Sequence, residues 1–326
     1  MKKSILGLAA LALLASCNND EELNSLAPEA ITFGNPFVDN ATRAIDNTYT
    51  ASNFKSFKVY ASAEGNAGTL RIFDGTEVTG AVGTALWDYT GKQYWIPNVK
   101  YKFVGVKDAT VKTYANELPT QLTVNSANDV LVATAVRNQG AEIDASAVDM
   151  TFEHILSKVH FTVNNNIATN SENVMYTYKV SNIKITNANV GGTYNIAGKT
   201  WDTTMTQGTL DFGNASNATA ADAANTAVAI GAIGKTASAT SHNSCLLIPG
   251  TYESLTVSFD WELSFNGTPI VRETGKTASI TNQKFVASHA YNININFNLN
   301  KPIEFTVKES DKFNWTPGEG GGNVNL

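Results

Sequence analysis

The chain has 326 residues, 43% hydrophobic and 10% aromatic, which is enough apolar surface for one or two domains with packed cores. A net charge of −6 with only 16% charged residues lacks the concentrated basic face that nucleic acid requires, which excludes nucleic acid as a partner. One of the two cysteines sits at the extreme N-terminal end, so no disulfide to Cys245 is expected to hold the fold together.

Lys2 and Lys3 precede an uncharged run from Ser4 to Ser16. That run is too short to span a bilayer as a helix, which takes about 20 apolar residues, and has the layout of an export signal over residues 1–16. Leu14-Ala15-Ser16-Cys17 resembles the lipobox of bacterial lipoproteins, in which the cysteine becomes the first mature residue and is acylated on its thiol and usually on its amine. Each buried CH₂ contributes about 0.8 kcal/mol, so one chain holds reversibly and several hold stably. Cys17 is therefore the expected lipidation site and membrane anchor, with palmitate-type acyl chains. Asp20-Glu21-Glu22 looks like the tag that sends lipoproteins of the Bacteroidetes to the outer face of the outer membrane.

Period-two alternation marks the strands that follow: Phe57-Val59-Ala61, Val99-Tyr101-Phe103, Val159-Phe161-Val163, Ile183-Ile185 and Leu255-Val257-Phe259-Trp261. The strongest signal is Tyr291 to Leu299, where apolar residues alternate with asparagines. Such a strand is poorly guarded against edge pairing, so it is expected inside a sheet or paired on both sides. Ile303 to Trp315 follows Pro302 as the second arm of a hairpin. After residue 16 no run carries the spacing of an amphipathic helix, and helix is expected for at most a turn or two around His154 to Lys158. Short strands with Gly, Asn and Thr turns read as an all-β sandwich architecture. Between 214 and 244 the composition falls to Ala, Thr, Asn, Ser and Gly, which reads as a long loop insertion.

No catalytic set emerges. Ala229 to Thr236 fits a relaxed phosphate-loop pattern, but the motif needs a helix after it and "ASATSHNS" follows. His154, His160, His242 and His289 have no metal-ligand spacing, and there is no G-x-S-x-G elbow. Glu253, Asp260 and Glu262 read as solvated strand carboxylates rather than a glycosidase pair. The chain is read as a non-enzyme with no metal and no cofactor. Trp87, Tyr89, Tyr94 and Trp95 have two readings, a core cluster or a platform for sugar rings, with Trp87 and Trp95 as the candidate glycan contacts.

The order of these features resembles the fimbrillins, or Mfa-like proteins, of the Bacteroidetes, which are pilus subunits or adhesins exported as lipoproteins. The resemblance is carried by the lipobox ending at Cys17, "ITFGNPFVDNATRA" (31–44), "YWIPNVKYKFVGV" (94–106), "MTFEHILSKVHFTV" (150–163), "GGTYNIAGKTW" (191–201) and the terminal strands through Trp315. It implies two tandem transthyretin-like β-sandwich domains, divided near 148: a lipidated leader with the first strand over 17–43, an N-terminal sandwich over 44–148 and a C-terminal sandwich over 149–326.

The resemblance also implies a maturation step, cleavage after Arg43 by an arginine-specific protease. The new N-terminus would be Ala44, and the lipidated leader would leave with the first strand. Arg43 lies in a small, polar segment of the kind that is readily nicked. Loss of Ile31, Phe33, Phe37 and Val38 would open backbone groups and apolar sockets that another subunit fills by strand addition. The chain ends shortly after Trp315 in "TPGEGGGNVNL", a poor apolar donor, so either the subunit accepts a strand without donating one, as a tip adhesin would, or the C-terminal strand with Ile303, Phe305 and Val307 is the donor. The expected partners are other fimbrial subunits, the maturation protease, the outer membrane through the lipid, and host or microbial surface ligands. The expected locations are the outer membrane and, after maturation, the fimbrium. The alternative is a permanently anchored, glycan-binding surface lipoprotein whose Arg43 is never cut.

Overall fold

In a computed structural model the described residues are 28–38, 49, 53–81, 84–167, 176–216, 225–231, 237–298, 302–309 and 322–324. Every regular element among them is a strand. The N-terminal half supplies β1 (Phe33–Gly34), β2 (Phe37–Val38), β3 (Ser56–Gly65), β4 (Gly68–Thr79), β5 (Leu86–Trp87), β6 (Lys100–Lys107), β7 (Thr110–Ala115), β8 (Leu118–Asn125), β9 (Leu131–Asn138) and β10 (Thr151–His154). The C-terminal half begins with β11 (Ser157–Asn165), β12 (Tyr176–Asn195), β13 (Thr200–Trp201), β14 (Thr206–Gly213), β15 (Ala215–Ser216) and β16 (Ala237–Ser241). It continues with β17 (Cys245–Leu247), β18 (Gly250–Phe265), β19 (Thr268–Phe285), β20 (Ala290–Phe297), β21 (Glu304–Glu309) and β22 (Gly322–Val324).

One sheet of the N-terminal half runs in the order β2-β10-β9-β6-β3-β4. Its alternation places Phe57, Val59 and Ala61 of β3 on one face with Tyr101 and Phe103 of β6, in an aromatic-rich core. On the opposite face Tyr60, Val104, Val106 and Val132 pack against Leu122, Tyr194, Ile196 and Ile248. Both faces of these strands are therefore covered, the second by residues that come largely from the other half.

In the C-terminal half two sheets enclose a third core. One holds β15, β16, β11, β20, β21 and β22 in that order, with β17 also paired to β11. The other runs β19-β18-β12-β8-β7. Val159, Phe161 and Val163 of β11 and Ile293, Ile295 and Phe297 of β20 meet Val257 and Phe259 of β18 across the sandwich. The asparagine-alternating strand β20 lies between β11, in parallel, and β21, in antiparallel register, so both its edges are occupied as its sequence requires. Leu299 lies outside the described residues.

The second sheet crosses between the halves. The strand β12 pairs with β18 from Tyr176 to Ile185 and then with β8 from Gly191 to Asn195. Gly192 sits where a Cβ would stand 2.6 Å from Met205 Sδ, so the pair Gly191-Gly192 is what lets the chain pass under its neighbours as it changes partner.

Two expectations need correction. His154 to Lys158 is not a helical turn: it ends β10, crosses between sheets and starts β11, its backbone held by Ile155 N–H to Val130 O at 3.2 Å and Lys158 N–H to His289 O at 3.0 Å. The stretch 214–244 is not only loop, because β15 and β16 pair with each other and β16 pairs with β11 from Thr162 to Asn165. Backbone pairing is indifferent to the Ala, Thr and Ser composition that made this stretch look unstructured; residues 217–224 and 232–236 lie outside the described residues.

Candidate functional site

The first described segment, residues 28–38, carries β1 and β2 and has backbone partners on two sides inside the N-terminal half. On one side Trp95 N–H donates to Glu29 O at 2.9 Å and Ile31 N–H to Gln93 O at 2.8 Å, and Phe33 and Gly34 pair antiparallel with Trp87 and Leu86. On the other side Val148 N–H donates to Thr32 O at 2.8 Å and Gly34 N–H to Val148 O at 3.1 Å. Phe37 and Val38 continue along the same neighbour, pairing in parallel with Thr151 and Phe152 of β10. The Tyr89 hydroxyl donates to Ile31 O at 2.8 Å, and burial raises its pKa, so it stays a donor.

The side chains of this segment enter the aromatic core. Ile31 and Phe33 are both 0% exposed. The Phe33 ring meets four others edge-on: Phe57 at 6.0 Å, Phe73 at 5.7 Å, Tyr89 at 5.7 Å and Phe103 at 6.1 Å between centroids. Each such contact adds about 0.5–1.5 kcal/mol beyond the area buried. The segment is thus a core element that enters from the N-terminal end of the chain.

Tyr49 is the next described residue, and it is held by two acidic side chains. Its N–H donates to Asp129 Oδ2 at 2.6 Å and its hydroxyl to Asp108 Oδ2 at 2.6 Å, while Lys107 Nζ lies 5.1 Å from the ring centre. Burial, followed by the hydrogen bond to Asp108, raises the pKa of the Tyr49 hydroxyl. Asp129 is itself buried and accepts through Oδ1 from His154 Nδ1 at 2.8 Å. Strand β10 therefore pairs directly with β2 through Thr151 and Phe152 and is linked to Tyr49 by way of Asp129, which bonds both the His154 ring and the Tyr49 N–H. Arg43 and Ala44 fall in the intervening stretch, residues 39–48, and lie outside the described residues, as does Cys17 with the whole of residues 1–27.

Trp87 and Trp95 are not a sugar platform. They are 3% and 5% exposed, Trp87 stacking on Phe54 at 5.8 Å and Trp95 meeting Tyr101 edge-on at 4.7 Å. Their faces are occupied by protein, which leaves no ring surface for a glycan, and the burial follows from the size of the apolar surface an indole brings to a core. Of the four aromatic residues between 87 and 95 only Tyr94 is exposed.

Ile303, Phe305 and Val307 lie on or beside β21, with Phe305 and Val307 buried in the C-terminal core. Both edges of that strand are taken, by β20 and β22, so it is part of this chain's own sheet. Asp260 accepts from Gly275 N–H at 2.7 Å in the bulge of the β18–β19 hairpin, and Glu262 pairs with Arg272, which gives these carboxylates structural positions. Among the described residues no three His, Cys, Asp or Glu side chains converge as a metal site would require. Crevices of about 120 Å³ beside Lys107 and about 170 Å³ beside Lys199 are smaller than the roughly 300–1,000 Å³ of small-molecule pockets.

Sequence reading did not single out Phe73, Tyr89, Phe103, Gln93 and Val148 as the walls of the groove around residues 28–38. Phe73 has no aromatic neighbour in the sequence and Tyr89 lies in a separate aromatic cluster, and nothing local says that they face the same ring. Val148 and Gln93 act through backbone groups, which leave no side-chain signature.

Comparison with known proteins gives a consistent picture. The fimbrillin-like family profile matches residues 42–311. No curated protein matches the chain. Among solved structures, a fimbrial protein from Bacteroides vulgatus has a TM-score of 0.58 at 15% identity, covering 87% of this chain and 99% of that one, which shows a shared fold. A protein proposed to act in cell adhesion from Bacteroides ovatus has a TM-score of 0.47 at 12% identity, over 87% of this chain and 97% of that one. A fimbrial assembly protein from Parabacteroides distasonis has a TM-score of 0.43 at 11% identity, over 90% of this chain and 99% of that one.

Proposed function

This chain belongs to the fimbrillin-like family and is a structural or adhesive subunit of a cell-surface fimbria rather than an enzyme, and we propose that it is matured by cleavage after Arg43 and assembled by strand addition. The observation that carries the reading is that the segment 28–38, with β1 and β2, has backbone partners on two sides, with Ile31 and Phe33 sealed in the core. Removing such a strand exposes two rows of backbone donors and acceptors and an aromatic socket at once. A strand added to that groove would pair the exposed backbone groups and return the apolar socket to a water-free setting, which favours its uptake. The retained chain stays attached because its first described anchor, Tyr49, lies on the far side of Arg43 from the leader.

On this reading Cys17 carries the lipid that delivers the subunit to the outer membrane, and cutting after Arg43 releases it from that anchor together with the strand. The incoming strand comes from another fimbrial subunit, and this chain acts as acceptor, as at a tip, or donates Ile303, Phe305 and Val307 after β21 unpairs. Treating the full chain in detergent with an arginine-specific protease tests the reading. The expected product begins at Ala44, loses residues 28–38 and forms strand-linked oligomers. A strictly monomeric product that retains residues 28–38 would overturn it.

A further inference from the structure

The geometry points to an aromatic side chain, two positions after an aliphatic one, as the feature that this groove selects in the strand that replaces residues 28–38. The inference rests on the reading that this leader strand is exchanged for a strand of another subunit. The walls of the groove offer two kinds of contact. Glu29 O, Ile31 N–H, Thr32 O and Gly34 N–H are all bonded to backbone of Gln93, Trp95 and Val148, and the Tyr89 hydroxyl takes Ile31 O. Those bonds fix register and direction but act on main chain, so nearly any sequence satisfies them.

Selectivity has to come from the side chains, and among those described Ile31 and Phe33 belong to the aromatic core at 0% exposed, with Pro36 also buried. The four rings that meet Phe33, those of Phe57, Phe73, Tyr89 and Phe103, all lie downstream of Arg43, so they remain when the leader is gone. All four rings present edges or tilted faces at 5.7–6.1 Å, an arrangement that a flat ring completes and that an aliphatic side chain leaves with gaps. Thr32 is only half-buried and Asn35 is exposed, so those registers tolerate substitution. At the Gly34 register an added Cβ would stand 2.5 Å from Asp149 Oδ1. Asp149 is exposed and its carboxylate can turn outward, so a small residue there is favoured without being required. The partner is therefore a fimbrial subunit whose donor strand reads aliphatic, any residue, aromatic, small.

The test is exchange of labelled peptides into the full chain after arginine-specific cleavage, in detergent. The parent peptide spans Glu29 to Phe37, and three variants carry Phe33→Ala, Phe33→Leu or Thr32→Ala. The parent and the Thr32→Ala peptide are expected to enter equally, the Phe33→Leu peptide roughly tenfold more weakly and the Phe33→Ala peptide on the order of 100-fold more weakly. If the parent enters and the Phe33→Ala peptide binds within threefold of it, the aromatic selection is wrong while strand exchange stands. If no peptide enters while the native leader stays bound, strand exchange itself is wrong and the inference falls with it.

Discussion

Leu122 and Tyr194 stand opposite each other in adjacent antiparallel strands, although Leu122 belongs to the β7–β8 hairpin of the N-terminal half and Tyr194 to the long strand β12 of the C-terminal half. Both are buried in the core between the halves, with Val104, Val106 and Ile248. The halves share a sheet as well as a core, so they are expected to unfold as one cooperative unit. Leu122→Ala removes apolar contacts made by both, at a cost of about 2–5 kcal/mol. Denaturant unfolding followed by hydrogen exchange measures this: amides of β8, β12 and β6 should lose protection together. Loss confined to the β7–β8 hairpin would contradict it.

A second expectation concerns the anchor of the retained chain. Asp129 accepts from Tyr49 N–H and from the His154 ring while 1% exposed. Asp129→Ala deletes an acceptor shared by the buried His154 ring and the half-buried Tyr49 N–H and should cost at least about 1–3 kcal/mol in chemical denaturation. Tyr49→Phe keeps the backbone bond and loses only the bond to Asp108, so it should cost about 0.5–1.5 kcal/mol. Equal losses for the two variants would mean that Asp129 is not the centre of the anchor.

The pH dependence of stability has a specific source in His160. Burial, with the nearby Lys158 charge as a lesser cause, lowers its pKa to about 4 from the ordinary 6.5. The unfolded chain then binds a proton at higher pH than the folded one does. Stability is therefore full above about pH 6.5, falls as the pH drops toward 4 and changes no further from this group below that, with a loss of at most about 3 kcal/mol. Urea midpoints at pH 7 and pH 4.5 measure the loss, and His160→Gln should flatten the difference between them. An unchanged difference in the variant would assign the acid sensitivity to other groups.

What was legible in the sequence was local. The alternation of Tyr291, Ile293, Ile295 and Phe297 fixed both the strand and the need for partners on each side, because period two and an unguarded amide face leave little choice. A first strand with Ile31 and Phe33 is expected only through the family resemblance, and the enclosure of Phe33 by Phe57, Phe73, Tyr89 and Phe103 has no local signal. Partner choice was not legible: nothing in "LPTQLTVN" (118–125) says that it pairs with β12 rather than with strands of its own half. The two tryptophans illustrate the same limit, since an indole serves equally as core or as platform and only the approach of Phe54, Phe57 and Tyr101 decides. Ala237–Ser241 was missed because its pairing rests on backbone bonds and small inward residues, Ala239 and Ser241, that carry no strong apolar signal.

The most direct test of the account is the intact mass and N-terminal sequence of this subunit isolated from assembled fimbriae. The account expects a chain that begins at Ala44, carries no acyl chains and has lost residues 28–38. Fimbria-incorporated protein that still begins at an acylated Cys17, with Arg43 uncut and residues 28–38 in place, would contradict it.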